Sequence, residues 1–254
     1  DTEVLLNAYI FFGEIIFNYL DGMWSVAIYD SLKKKCVLSR DYVGQKPLYY
    51  SLQNEYLLFS SELTGLFQDK NIDKSICEVN LQKYFAYSFV PAPKTIFKNI
   101  FQLKPGELIE INASTLRFKK KQYWDLADGP DFNIFNKPNS NFEFNKYFDE
   151  IIKKFTIADK KIAISLSAGL DSNIIFNSLI NQKFNPLSFS LGFENSSYDE
   201  THNVINKNKK FKKNITLADT KTLNTKFLEI SKLINEPNGD SSLLPTYIIF
   251  NKIK

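Results

Sequence analysis

Histidine, cysteine and arginine are scarce in this sequence of 254 residues, which contains one histidine, two cysteines and two arginines. Cys36 and Cys77 lie far apart and form no C-x-x-C pair, which indicates a reducing compartment and argues against a disulfide framework or a structural zinc site. The single histidine, His202, argues against histidine-rich metal sites and most histidine relays. We expect His202 to be a solvated helix residue without a chemical role.

Charge and hydropathy argue against nucleic-acid and membrane partners. The net charge is +4, and the basic residues are almost all lysine in scattered runs, whereas nucleic-acid-binding surfaces usually cluster arginine with lysine. A membrane-spanning helix needs about 18 uninterrupted apolar residues, and the most apolar stretch, residues 4–20, is broken by asparagine, glycine and glutamate. No signal peptide is visible. We therefore expect a cytoplasmic protein.

Length and composition predict two domains. A hydrophobic content of 44% with 15% aromatic residues is typical of a globular protein, and a chain of this length can bury two modest cores. Residues 128–141, rich in Asn, Pro and Gly, form the predicted linker between a first domain (1–127) and a second (142–254). Because the sequence starts inside a helical pattern without methionine and stops inside an apolar pattern, we expect a fragment of a longer protein.

The first domain has the pattern of two helices followed by an antiparallel sheet. Apolar residues at helical spacing predict a helix that ends near Gly13 and a second short helix over 14–20. The period then changes to two, which predicts strands over 23–29, 35–40, 48–52 and 56–59. Later patterns predict a helix over 81–89 and a hairpin that pairs 107–111 with 116–123.

The second domain alternates helices with strands, as expected for a parallel sheet. Predicted helices cover residues 142–158, 173–180 and 222–234. Predicted strands cover 161–166, 187–193 and 211–217, and the first is a short apolar run typical of a buried parallel strand. A nucleotide is expected to bind at the switch point of such a sheet.

The turn after the strand 161–166 combines small and hydroxyl residues with one carboxylate. Backbone N–H groups and the positive end of the helix dipole would converge there on a spot that suits a polyanion. Ser167 and Ser172 would add hydroxyl donors, and Asp171 would hold a divalent cation such as Mg²⁺ against the phosphates. We interpret the turn as a pyrophosphate cradle, and the alternative is an ordinary serine-rich N-cap.

Consecutive blocks along the chain carry a resemblance to a known family. They are residues 1–5, 20–24, 39–50, 59–63, 84–97, 103–106, 123–126, 167–172, 188–193 and 236–242. In this order they resemble the glutamine-hydrolysing asparagine synthetases over essentially the whole supplied length. The resemblance implies an α/β plus α+β protein. It would comprise a truncated αββα glutaminase domain of the N-terminal-nucleophile type (a class II glutamine amidotransferase), then an incomplete PP-loop domain of the adenine-nucleotide α-hydrolase type with a parallel sheet.

The same resemblance implies a set of site residues. Asp1 would hold the α-amine of glutamine, and its alternative role is a helix N-cap. Glu236 and Asp240 would hold Mg²⁺ or the amino group of aspartate, and a loop before an N-capped helix is an equally weighted alternative. The ATP and pyrophosphate site would consist of Leu166, Ser167, Ala168, Gly169, Leu170, Asp171, Ser172 and, near the adenine, Leu191.

Two positions depart from the PP-loop pattern S-G-G-x-D-S and its continuation. Ala168 replaces the first glycine, and Asn173 stands where the family usually has a second serine. If position 168 requires a positive φ, the alanine would cost ~1–2 kcal/mol. If phosphate must approach the backbone closely, the Cβ atom of Ala168 would block it.

The activity implied by the resemblance needs ATP, Mg²⁺, aspartate and glutamine. The family forms β-aspartyl-AMP and pyrophosphate from aspartate and ATP, and ammonia from glutamine then displaces AMP. The glutaminase nucleophile, an N-terminal cysteine, would precede Asp1, and Cys36 would not replace it because it lies in mid-strand without a partner base. We therefore expect this fragment alone to be inactive.

The sequence leaves the acceptor substrate and the assembly open. The assemblies compatible with the sequence include a homodimer. The alternatives to asparagine synthesis are a relative that amidates or cyclises another carboxylate, of the surface-polysaccharide amidotransferase or β-lactam synthetase type, and a non-catalytic paralogue.

Overall fold

A computed structural model describes residues 1–53, 56–128, 140–193, 199, 201–202, 204, 213–218, 220–234 and 236–253. Most of the predicted linker (residues 129–139) and the start of the predicted strand 211–217 lie outside the described residues. Contacts divide the chain into two units, one formed by residues 1–130 with 234–239 and the other by residues 131–233 with 240–254. The domain boundaries given above stay predictions.

The first unit begins with helix α1 (Thr2–Phe12), which a 3₁₀ helix (Gly13–Asn18) follows directly. This pair confirms the predicted helices, although the second is a 3₁₀ helix. Asp1 is the N-cap of α1: its carbonyl oxygen accepts a hydrogen bond from the N–H of Leu5 (3.0 Å), while its side chain makes no capping hydrogen bond. Tyr9 and Phe17 are buried.

Two antiparallel sheets follow, with strand orders β1-β2-β6-β7 and β4-β3-β5. Helices α2 (Leu63–Leu66) and α3 (Glu78–Tyr87) lie between β4 and β5 in the chain. The predicted strands and the predicted hairpin are confirmed with small shifts of their ends, but the pattern missed β5. The strands are β1 (Ser25–Asp30), β2 (Lys35–Arg40), β3 (Tyr49–Leu52), β4 (Leu57–Ser60), β5 (Phe101–Gln102), β6 (Glu107–Asn112) and β7 (Phe118–Gln122).

The first unit is built in layers because successive side chains of a strand point to opposite faces of a sheet. Val37 and Leu108 pack with residues of α1 and the 3₁₀ helix. The next residues along each strand, Leu38 and Ile109, pack with residues of β3 in the other sheet. Tyr49 of β3 packs against a cluster that includes both leucines of α2. The order of the layers is therefore helix, sheet, sheet, helix.

Arg40 and Asp41 fix the loop that follows β2. The Arg40 guanidinium donates hydrogen bonds to the carbonyl oxygens of Gly44 (2.6 Å), Lys46 (2.8 Å) and Leu103 (2.6 Å). The Asp41 carboxylate accepts a hydrogen bond from the backbone N–H of Lys46 (2.9 Å). The two residues thus organise backbone groups, which fits a structural role for this block of the sequence.

The second unit contains a parallel sheet of order β10-β9-β8, which confirms the predicted parallel arrangement. Helix α5 begins three residues before the predicted helix 173–180, so Asp171 and Ser172 lie in its first turn and the preceding turn ends at Gly169. The elements are α4 (Ser140–Phe155), β8 (Ala163–Ser165), α5 (Leu170–Asn181), β9 (Leu187–Phe193), β10 (Lys213–Ala218), α6 (Thr220–Ser231) and α7 (Leu243–Ile253).

The core of the second unit lies between the sheet and α5. Ile164 and Leu166 of the first strand region pack with Phe176 and Leu179 of α5 and with Val204. This cluster anchors both ends of the strand-to-helix turn. Among the helices in the described ranges, none combines the length and apolar character required to cross a membrane.

Candidate functional site

The strand-to-helix turn starts from a backbone that is fixed on both sides. The N–H of Leu166 donates to the carbonyl oxygen of Phe189 (2.8 Å), which continues the pairing of β8 with β9. The hydroxyl of Ser190 donates to the carbonyl oxygen of Leu166 (2.6 Å) in a buried position. The direction in which the chain leaves the sheet is therefore set before the turn begins.

Gly169 is the N-cap of α5, and glycine has no side chain with which to cap the helix. Residues on either side of it supply the missing polar groups. The hydroxyl oxygens of Ser167 and Ser172 lie 3.0 Å apart. The N–H of Ser167 donates to Ser172 Oγ (3.2 Å), and the N–H of Gly169 donates to Ser167 Oγ (3.2 Å).

These hydrogen bonds correct one part of the sequence-based expectation. The turn was expected to direct its backbone N–H groups at a ligand, but those of Ser167 and Gly169 are bonded within the turn. The hydroxyl oxygens of Ser172 and Ser167 accept the hydrogen bonds of these two amides. A hydroxyl accepts and donates at once, so the two serines satisfy the amides and still carry a proton each.

Asn173 ties the turn to the helix. Its Nδ2 atom donates to the carbonyl oxygens of Ser167 (2.9 Å) and Gly169 (2.6 Å). In the sequence, Asn173 stands out only as a departure from the family's pattern, with no predicted role. The available signal was its spacing, since an asparagine four residues after the N-cap can reach back over one helical turn.

The sequence raised two concerns about Ala168: a strained positive φ angle, and a Cβ atom that projects from the turn. The structure shows neither of them. The non-glycine residues with positive φ among the described residues are Lys34, Ser88, Leu116 and Lys183, and Ala168 is not one of them. Its side chain packs against the buried cluster of the second unit. The methyl group therefore contributes to the core of the unit instead of projecting from the turn.

Leu170 and Asp171 form the exposed start of α5. Asp171 is the acidic residue of the first helical turn, where the positive end of the helix dipole stabilises its carboxylate. No group of three or more His, Cys, Asp or Glu side chains that could hold a metal ion occurs in the described part of the chain.

A cavity of about 200 Å³ adjoins the turn. It brings together three of the predicted ATP-site residues, Leu166, Ser167 and Leu191. Gly192 is not one of its lining residues, and a Cβ atom at Gly192 would lie only 2.5 Å from Cγ2 of Thr201. The other lining residues are mostly apolar, and they are Ser165, Phe193, Val204, Pro245 and Ile249.

The two acidic residues predicted near the substrate have partners within their own units. In the first unit, the half-buried Glu236 carboxylate accepts a hydrogen bond from the N–H of Ile96 (2.9 Å), and burial raises the pKa of Glu236. In the second unit, Asp240 accepts hydrogen bonds from the hydroxyl (2.9 Å) and the N–H (2.8 Å) of Ser242. These bonds lower the pKa of Asp240.

The bonds made by Asp240 fit the alternative of a loop before a helix, since α7 begins at Leu243 directly after them. For Asp1, the N-cap position is confirmed, and its exposed side chain makes no capping hydrogen bond. Cys36 lies within β2, and burial raises the pKa of its thiol, which disfavours the reactive thiolate.

Comparison with known proteins adds independent findings. A family model described as a glutamine amidotransferase domain matches residues 1–124, and a family model described as asparagine synthase matches residues 143–254. A solved glutamine phosphoribosylpyrophosphate amidotransferase from B. subtilis is 13% identical, with a TM-score of 0.32, over 85% of this chain and 38% of that chain. A likeness this weak does not establish a shared fold.

Three curated relatives carry the same kind of name. A protein of Methanocaldococcus jannaschii, provisionally named asparagine synthetase [glutamine-hydrolyzing] 2, is 33% identical over 97% of this chain and 48% of its own length. Asparagine synthetases [glutamine-hydrolyzing] 3 and 1 of Bacillus subtilis are 27% and 29% identical, over 69% and 79% of this chain and 28% and 31% of their own lengths. The chain thus spans half or less of each relative. With both domain models matched in this order, the chain belongs to the family of the glutamine-hydrolysing asparagine synthetases, as a partial member.

Proposed function

We propose that the intact protein converts aspartate to asparagine with ATP, uses glutamine as the nitrogen donor, and releases pyrophosphate from a β-aspartyl-AMP intermediate. The observation that carries this proposal is the turn from Ser167 to Ser172. It sets two hydroxyls 3.0 Å apart at the amino end of α5, next to a cavity bordered by Leu191. We assign the first unit to the N-terminal-nucleophile type and the second to the PP-loop type.

The departing pyrophosphate would bind at this turn. Rotation of the Ser167 and Ser172 hydroxyls would redirect their protons to phosphate oxygens, while their oxygen atoms would go on accepting hydrogen bonds from the N–H groups of Gly169 and Ser167. The amino end of α5 adds the positive end of its dipole. Donors placed where negative charge develops are the usual means of stabilising such a leaving group.

Mg²⁺ fits the donors that this turn offers. The exposed carboxylate of Asp171 is a hard oxygen ligand, and Mg²⁺ commonly takes one or two carboxylates together with substrate phosphates and water. When bound, the ion would neutralise charge on the phosphates. Asp171 itself would hold the ion close to the hydroxyls of Ser167 and Ser172.

The nucleotide base would enter the cavity beside the turn. Its volume of about 200 Å³ is below the ~300–1,000 Å³ of a complete ligand pocket, so it would take only part of ATP. The apolar side chains of Leu166 and Leu191 suit a flat base. The triphosphate would then extend toward Ala168, Gly169 and Leu170.

The remaining predicted contacts concern glutamine and aspartate. Asp1 would bind the α-amine of glutamine with the side chain that makes no capping bond. Glu236 would serve aspartate or Mg²⁺ through the carboxylate oxygen that does not bond to Ile96. Asp240 would do so through further lone pairs of its two oxygens, both of which accept hydrogen bonds from Ser242. The cysteine nucleophile of the glutaminase reaction would come from outside the 254 residues, since the raised pKa of Cys36 does not suit that role.

The test is aspartate-dependent exchange of labelled pyrophosphate into ATP by the intact protein. We expect exchange by the wild type and a loss of at least about a hundredfold in Asp171→Asn, because the carboxylate that holds the cation is removed. The matched control is Asp159→Asn, an exposed aspartate of the same unit, which should exchange like the wild type. A folded wild type without exchange would overturn the proposal, and exchange that requires another carboxylic acid would assign a different acceptor.

A further inference from the structure

We propose that Ser190 is a positioning residue that keeps the backbone N–H of Leu191 available to the adenine ring of ATP. This inference rests on the proposed function, since it concerns the cavity that Leu191 lines. Its starting point is the hydrogen bond from the Ser190 hydroxyl to the carbonyl oxygen of Leu166 (2.6 Å). Ser190 is buried in β9, at the point where the pairing of β8 with β9 ends.

The direction of the Leu191 N–H follows from the pairing of the two strands. In a parallel sheet, the backbone groups of successive residues in a central strand point alternately to its two neighbours. The N–H of Leu187 donates to the carbonyl oxygen of Ile162 (2.9 Å), and the carbonyl oxygen of Phe189 accepts from the N–H of Leu166 (2.8 Å). Residues 187 and 189 therefore face β8. Leu191, two residues further along, faces the point where the chain leaves that strand.

The next bond of this ladder is not made. Continued pairing would join the N–H of Leu191 to the carbonyl oxygen of Leu166, but the Ser190 hydroxyl occupies that oxygen instead. Within the described part of the chain, the N–H of the half-buried Leu191 has no acceptor. Unbonded backbone N–H groups are rare in the interior of folded proteins. A donor of this kind next to a cavity is well placed to bond to a ligand.

The free N–H points toward the cavity beside the turn. Leu166, Ser167 and Leu191 all line this cavity, and the N–H of Leu191 is directed at the end of β8, from which Leu166 and Ser167 continue. Because the rest of the lining is mostly apolar, a single backbone donor would fix the orientation of a bound base.

A donor at this position distinguishes adenine from other purines. The edge of the ring that lies farthest from the ribose carries N1, which accepts a hydrogen bond in adenine but carries a proton in hypoxanthine and guanine. With the triphosphate at the turn, this edge enters the cavity first. The N–H of Leu191 would then bond to N1 of adenine and would oppose the N1–H of the other two bases.

Ser190 protects this donor without touching the nucleotide. The carbonyl oxygen of Leu166 is buried, and a buried carbonyl group without a donor is costly. If the Ser190 hydroxyl were removed, the N–H of Leu191 would be the next donor in register. The ladder would extend by one bond, and the donor would be lost to the base.

The first test compares binding of ATP, inosine triphosphate (ITP, whose base is hypoxanthine) and inorganic pyrophosphate to the intact protein by calorimetry with Mg²⁺. We expect Ser190→Ala to bind ATP about tenfold more weakly, the effect of losing one hydrogen bond. Its affinities for ITP and pyrophosphate should equal those of the wild type. The matched control is Ser188→Ala, which removes another buried serine hydroxyl from β9 and should leave all three affinities unchanged.

Hydrogen exchange at single-residue resolution tests the wild type without a mutation. The amide of Leu191 should exchange faster than that of Leu187, which is bonded to Ile162. ATP should slow the exchange at Leu191, and pyrophosphate should not.

The outcomes separate this inference from the proposed function. Wild-type ATP affinity in Ser190→Ala, or a Leu191 amide that is protected in the ligand-free wild type, would overturn the positioning role and leave the proposed function intact. An equal loss of affinity for ATP, ITP and pyrophosphate in Ser190→Ala would also overturn it, because the role of Ser190 would then be structural. A folded wild type that binds neither ATP nor pyrophosphate would overturn the proposed function, and the positioning role with it.

Discussion

The carboxylate of Glu236 accepts a hydrogen bond of 2.9 Å from the backbone N–H of Ile96, although 140 residues separate them in the sequence. A second backbone bond, from the N–H of Gly239 to the carbonyl oxygen of Ser88 (2.8 Å), acts in the same segment. Residues 234–239 are therefore part of the first unit. Glu236 is half-buried in this position, and its burial makes the stability of the first unit depend on pH.

Glu236 should make the first unit less stable as the pH rises. Burial raises its pKa, so between its ordinary pKa and the raised value the folded state binds more protons than the unfolded state. The free energy of unfolding then falls as pH rises through that window. Glu236→Gln keeps an oxygen that can accept from Ile96, and it should remove this slope and be more stable than the wild type at neutral pH.

The measurement is thermal unfolding of the intact protein between pH 4 and pH 8, the range that spans the ordinary carboxyl pKa values of about 4. Glu78→Gln, at an exposed position of the same unit, is the matched control and should keep the wild-type slope. An identical pH slope in Glu236→Gln and the wild type would contradict this account.

Gly106→Ala should destabilise the first unit far more than Gly13→Ala. Both glycines have left-handed φ angles, +63° and +62°, but an added Cβ would lie 2.3 Å from the carbonyl oxygen of Trp124 at Gly106 and meet nothing within 4 Å at Gly13. We expect a cost of ~1–2 kcal/mol from the φ angle alone at Gly13. The clash with a backbone atom should bring the cost at Gly106 to more than about 3 kcal/mol.

Tryptophan fluorescence during denaturant unfolding measures this difference directly. The sequence has two tryptophans, Trp24 and Trp124, and both belong to the first unit. Similar losses of stability in the two variants would mean that the close contact at Trp124 is relieved without cost.

Lys35→Ala should destabilise the first unit, because Lys35 joins two carboxylates. Its ammonium group lies 2.7 Å from Glu14 and 2.9 Å from Glu110, with 16% of the side chain exposed. Burial alone would lower the pKa of Lys35, but the hydrogen bonds with both glutamates raise it above its ordinary value. Removing the ammonium leaves the carboxylates facing each other, at a cost of about 1–3 kcal/mol.

The control for Lys35 is Lys33→Ala. Lys33 pairs with Asp30 at 3.6 Å and its side chain is 66% exposed, so its removal should change stability little. Thermal unfolding at low and high salt checks both variants. A loss in Lys33→Ala as large as that in Lys35→Ala would show that the burial of the lysine does not matter.

Ala168→Gly should not increase the exchange of pyrophosphate into ATP. The backbone at Ala168 does not require a positive φ, and its methyl group packs in the core. Glycine would lose that packing and add backbone freedom, at about 1 kcal/mol of stability. Exchange rates and melting temperatures of the two proteins test this, and a several-fold gain in exchange rate would mean that the methyl group obstructs the phosphates.

The sequence alone determined the elements that have a clear period. It predicted β2 and β9 to the residue, over 35–40 and 187–193, and it predicted a parallel sheet in the second unit, as found. Ordered blocks of residues also identified the family. These features are local, because alternation and short motifs depend on neighbours along the chain. β5, with two residues, was too short to show a period.

The tertiary structure alone decided the contacts that join distant or capping residues. Periodicity placed the start of α5 at 173, but the fold begins it at Leu170 after the Gly169 N-cap. It also decided that Asn173 holds two carbonyl groups and that the methyl group of Ala168 is packed. Such contacts depend on which groups meet in the folded chain. The spacing of Asn173 from Gly169 permits the contact, but only the fold decides that it forms.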